Sequence, residues 1–130
     1  MYSYNSPEEA IRSLEKAYTN EDLEAIINSK DFKTEALLIL EQSTNKYDLN
    51  DEELVTEAAK LLELGMIQSL QENGYPDFSV LKSEISELQK VRDRLYVVNE
   101  KITYPDRTTY ETRIFLSEYD GVWKVATIAE

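Results

Sequence analysis

The stretch RLYVVNEKITYPDRTTYETRIFLSEYDGVWKV, Arg94–Val125, decides the fold class. Its residues alternate with the period of two that an extended chain needs to keep one face apolar. A strand over Arg92–Tyr104 puts Tyr96, Val98, Glu100, Ile102 and Tyr104 on one face. Pro105-Asp106-Arg107 supplies a turn, and Thr108–Glu118 then sets Tyr110, Thr112, Ile114 and Leu116 against Glu111, Arg113 and Phe115. Asp120-Gly121 has the composition of a tight hairpin, and Val122–Ile128 runs back as the last strand. Hairpin after hairpin predicts an antiparallel meander.

Upstream, Val80–Lys90 alternates weakly and reads as one further strand, but before Tyr75-Pro76 the period changes to helical. Ser6, Pro7 and Glu9 form an N-cap, a first-turn proline and a capping box, followed by Ile11, Leu14, Ala17 and Tyr18 on one stripe. Asn20 is expected to cap a short second helix through Asp22, Leu23, Ile26 and Ile27. Thr34–Gln42 is nearly continuous in apolar residues and reads as a third, mostly buried helix. After the polar break STNKYDLN, Asn50 and Glu53 suit the start of a long helix that stops at Asn73-Gly74. Helices first and a meander after them predict an α+β fold. The helices should cover one face of a curved sheet.

With 130 residues and only three Gly and three Pro, the chain is expected to form a single domain over residues 1–130. There is no apolar run long enough to span a bilayer, and MYSYNSPEEA lacks the features of a signal peptide, so a cytoplasmic location is expected. No cysteine is present, which excludes thiol chemistry. The net charge of −12 is uneven. Met1–Gly74 holds 16 acids and 6 bases, while Tyr75–Glu130 holds 10 and 8. Such a field repels phosphate backbones, so nucleic acid is not an expected ligand, and it would attract a basic partner.

SPEEAIRSLEKAYTNEDLEAIINS and EYDGVWKVATI, in this order around a strand-rich second half, resemble the opening helices and the final strand of the nuclear transport factor two-like superfamily. The resemblance implies a cystatin-like cone, with three to four N-terminal helices packed on the concave face of a strongly curved antiparallel sheet and Trp123, with Val125 and Thr127, as the lid of the core. A closer likeness joins KAYTNEDLEAIINSKDFKTEALLILEQ, ELVTEAAKLLELGMIQSLQENGYPDF and the final strand to the immunity proteins of bacterial polymorphic toxin systems. That likeness implies a non-enzymatic protein that neutralises a cognate toxin by binding it. Members of the superfamily often pair through the outer face of the sheet. A homodimer is expected by analogy, because Phe115 points away from Ile114 and needs cover.

The superfamily also includes isomerases, dehydratases and cyclases, so a small-molecule site in the cone is the alternative. The chain contains no histidine, which weakens that alternative and leaves Asp or Glu as the base. Glu100 or Asp93, with Tyr96, Tyr104 and Tyr110, would be the set. Glu100 is either a buried functional acid or an exposed cross-strand partner of an arginine such as Arg113. Aromatics on a curved sheet first suit packing, but in an incompletely filled cone Tyr18, Phe32, Tyr96, Glu100, Tyr104, Tyr110 and Trp123, with Tyr119 and Phe115, would line the mouth. Arg92 and Arg94 are expected to share a strand face. DLNDEE lacks the glycine and glutamate spacing of a calcium loop, and no metal or cofactor is expected. For a toxin partner the candidate contacts are Glu52, Glu53, Glu57 and Glu63, expected to face outward from the long helix.

Overall fold

The structure is a computed structural model that describes residues 2–43 and 46–126. Among the described residues four helices, α1 Pro7–Thr19, α2 Leu23–Ser29, α3 Phe32–Gln42 and α4 Glu52–Asn73, precede five strands. The strands are β1 Lys82–Ile85, β2 Gln89–Arg92, β3 Leu95–Thr103, β4 Thr109–Tyr119 and β5 Val122–Val125. β1 and β2 both pair with β3, which pairs with β4, which pairs with β5, every ladder antiparallel. The sheet is strongly curled into a half-barrel, giving the expected α+β cone. Among the described residues no helix is long and apolar enough to cross a membrane.

The helix starts are set by side chains that accept the first free amides. Ser6 Oγ accepts from Glu9 N at 3.1 Å, as expected. For the second and fourth helices the cap lies beyond the residue expected. Glu21 takes a left-handed φ of 55° and Asn20 closes α1, so Asp22 caps α2 through Ala25 N. Asp51, rather than Asn50, accepts from Glu53 N and Leu54 N. Asp31 caps α3, which starts at Phe32, two residues before the expected Thr34; Asp31 takes Thr34 N at 3.0 Å and Thr34 Oγ1 at 2.7 Å. Gly74 ends α4 with φ 82°, a conformation a side chain would strain.

Two strand expectations are corrected. Val80–Lys90 is not one strand: β1 and β2 are separated at Ser86, whose N–H donates to Asn99 O and whose Oγ accepts from Asn99 N. Asp93 and Arg94 form the turn before β3, with Arg94 at φ 62°, so Arg92 and Arg94 do not share a strand face. Arg92 reaches Glu41 of α3 with both guanidinium nitrogens, while Arg94 lies over the Tyr119 ring at 4.9 Å. Of the expected last strand, Thr127 and Ile128 lie outside the described residues.

Two apolar clusters occupy opposite faces of the sheet. The main one joins Ala10, Ile11, Leu14 and Ala17 of α1, Ala25 and Ile26 of α2 and Leu70 of α4 to Val98, Ile114, Leu116 and Val125. The second joins Leu95, Phe115 and Ala126 to Leu38 of α3. Phe115 is therefore only 7% exposed within the single chain, and the cover that motivated a dimer comes from α3. Residues 2–5 run back across α1 as a strap. Ser13 Oγ accepts from Ser3 N and donates to Ser3 O, and Trp123 N donates to Tyr4 O at 2.8 Å. On the same edge of β5, Asp31 N donates to Val125 O at 2.8 Å.

Candidate functional site

The inward face of β3 places Glu100 between Val98 and Ile102, and there it is 3% exposed. The ladder sets it opposite Thr112 and sets Arg113 opposite Asn99, so the exposed cross-strand pairing with Arg113 does not form. Glu100 instead accepts a hydrogen bond from Ser83 Oγ of β1 and faces Glu15 of α1. Glu15 is 8% exposed; its Oε1 accepts from Arg12 Nη1 at 3.2 Å, and its Oε2 is buried with no hydrogen-bond partner. Arg12 Nη2 is anchored on Ser83 O at 2.9 Å. Two carboxylates thus face each other in a desolvated space, with the Arg12 guanidinium bound to Glu15. Burial first, and then the Glu100 carboxylate, push Glu15 up to about 8, against the opposing pull of Arg12. The shift favours the neutral form of Glu15, and a neutral carboxyl can donate the hydrogen bond that its buried Oε2 otherwise lacks. A groove of about 260 Å3 lined by Glu15, Lys16, Thr19, Phe78 and Ser79 opens beside it.

The remaining sequence candidates do not converge on Glu100 as one mouth. Tyr96 and Trp123 pack together with ring centroids 4.8 Å apart, Trp123 against the main core as its lid. Tyr18 is half-buried beside Phe78 at 6.1 Å, and burial, reinforced by the Glu35 carboxylate, pushes its hydroxyl up to about 12. Phe32 lines a separate groove of about 230 Å3 with Lys33 of α3 and Thr56, Ala59, Lys60 and Glu63 of α4. Tyr104 and Tyr110, near the end of the β3–β4 hairpin, are both exposed and do not line an enclosed pocket with Glu100. Asp93 is likewise exposed in its turn, away from the cone interior.

Glu15 was not among the sequence candidates, although a signal existed. It stands four residues after Ile11 and three before Tyr18, inside the apolar stripe, where an acid is out of place. A second buried pair was also missed. Lys30 Nζ lies 2.6 Å from Glu35 Oε1, with both side chains at most a tenth exposed, and the Phe32 ring 5.3 Å from the ammonium.

On the outside, α4 buries only Val55 and Leu70 over its 22 residues. It carries five carboxylates and one lysine. Glu52, Glu53 and Glu57 are exposed, whereas Glu63 is half-buried in the groove against Phe32 rather than facing outward. Leu61 and Leu64 stand in solvent at 70% and 60% exposure.

No family model matches the chain, and no curated protein matches it. Among solved structures it is similar to an NTF2-like transpeptidase from Campylobacter jejuni, with 15% identity over 92% of this chain and 97% of that chain and a TM-score of 0.43. At that level the likeness says nothing of activity or partner, and the α+β architecture stands on the elements and pairings described above.

Proposed function

We propose that this protein is a non-enzymatic binding module that neutralises a cognate bacterial toxin in the cytoplasm by docking a basic surface of it. The observation that carries this reading is α4, a long helix held by few buried residues that turns Glu52, Glu53 and Glu57 to solvent in the acidic half of a chain of net charge −12. Such a field steers a cationic protein into encounter and repels nucleic acid. The test is binding of the purified product of the neighbouring gene by calorimetry at two salt concentrations. Complex formation that weakens with salt supports the reading; no complex with any neighbour-encoded protein overturns it.

The Glu15–Glu100 pair favours a second reading, a small-molecule site in the cone with a carboxyl acid–base pair. Saturable quenching of Trp123 fluorescence by a small cyclic ligand, lost in Glu100→Gln, would support it over the first.

A further inference from the structure

On a helix whose core-facing residues are Val55, Leu62, Met66 and Leu70, the opposite direction belongs to Glu57, Leu61, Leu64 and Gln68 at three- and four-residue spacing. Glu57, Leu61, Leu64 and Gln68 are all exposed, so the two leucines form the crest of the solvent face rather than its margin. Exposed leucines scattered singly need no explanation, but two adjacent ones on one crest are a small apolar ridge. Glu53 and Glu57 precede the ridge, and Glu72, which accepts from Gln68 Nε2 at 3.0 Å, follows it.

We infer that the Leu61–Leu64 ridge is the anchor by which this protein docks its partner, and that the partner is a protein presenting an apolar groove rimmed by lysine or arginine. The inference rests on the binding reading above and adds to it the contact surface and the partner's chemistry. Charge selects the occupant. A second copy would bring another helix with five carboxylates against this one, from a chain that itself carries −12, so like charge would face like charge around the leucines. A basic rim instead pairs with Glu53, Glu57 and Glu72 while the groove removes Leu61 and Leu64 from water. The two parts act on different rates: buried apolar anchors hold the complex together, and rim charges speed its formation.

The experiment uses the full chain and the purified neighbour-encoded protein in surface plasmon resonance, comparing the wild type with Leu61→Ser/Leu64→Ser and with Glu53→Gln/Glu57→Gln. Both variants change exposed residues, and circular dichroism melts establish that they fold. The leucine variant is expected to dissociate at least about 30-fold faster with a similar salt dependence. The glutamate variant is expected to associate about 3- to 10-fold more slowly at low salt with little change in dissociation. Wild-type binding that the leucine variant leaves unchanged overturns this inference alone. Absence of any wild-type binding overturns the functional reading and the inference with it. A wild-type dimer in light scattering that the leucine variant dissolves also overturns it, since the occupant is then a second copy.

Discussion

Replacing Glu15 by glutamine should remove a pH dependence of stability that the buried pair imposes. In the folded chain Glu15 is pushed up to about 8, and in the unfolded chain it returns to about 4.5. Between those values the folded state holds a proton that the unfolded state releases. Folding is unpenalised below pH 4.5, loses ground steadily as pH rises, and levels off above 8. At about 1.4 kcal/mol for each tenfold change in proton activity, the whole span amounts to a ceiling of about 5 kcal/mol. Glu15 lines the open groove beside Thr19 and Phe78 and is not fully enclosed, so a loss below that ceiling, about 3 kcal/mol, is expected. Urea denaturation at half-unit steps from pH 5 to pH 9, on wild type and Glu15→Gln, measures it. The other carboxylates of this acidic chain titrate in both proteins, so the difference between the curves isolates Glu15. Glu15→Gln should be close to the wild type at pH 5, where the folded Glu15 is already neutral, and more stable by pH 8.5. A difference constant within about 0.5 kcal/mol across the range, the size of an ordinary surface effect, would refute the burial of Glu15 against Glu100 as the source of the shift.

Three further outcomes follow from the packing. Glu35→Gln removes the carboxylate 2.6 Å from the buried Lys30 ammonium and should cost about 3–5 kcal/mol in urea denaturation, most of it recovered in Lys30→Met/Glu35→Leu. Asp31→Ala deletes the bonds to Thr34 N, Thr34 Oγ1 and Ser117 Oγ, and should lower stability by about 2–3 kcal/mol in thermal melts, with Asp31→Asn losing less than half of that. Phe115→Ala should cost about 3–5 kcal/mol, because Leu38, Leu95 and Ala126 close over the ring inside one chain; a loss below 1 kcal/mol would mean that this face is open.

What could be read from the chain was what local chemistry dictates. Ser6, Pro7 and Glu9 marked α1, Asn73-Gly74 marked the end of α4, and Pro105–Arg107 and Asp120-Gly121 marked the hairpins, because each acts on backbone a few residues away. Where two cap-forming residues adjoin, as Asn50 and Asp51 do, propensity does not choose; the chain path does. The face of each strand was legible from its period of two, but what covers that face was not. Phe115 read as an open surface because Leu38, its cover, lies 77 positions upstream in α3. The candidate site divides the same way. Glu100 was visible as an acid on an apolar face, yet its environment depends on Glu15 and Ser83, which only the docking of α1 and β1 onto β3 brings to it. Tyr104 and Tyr110 share that inward parity, but parity says nothing of whether that end of the face is covered.

The strap of residues 2–5 and the α2–α3 link have a joint effect on how the chain behaves among its own copies. The outer side of β5 would otherwise offer a donor at Trp123 and an acceptor at Val125, the template a foreign strand needs to extend a sheet. Tyr4 and Asp31 already hold those two groups. The strap is itself pinned by Tyr2 Oη on Asp22 and by Tyr4 Oη, which donates to a Ser29 hydroxyl that in turn donates to Ala25 O. Strand addition at this edge therefore requires peeling the strap away first. The strap serves as a built-in guard against edge-to-edge polymerisation.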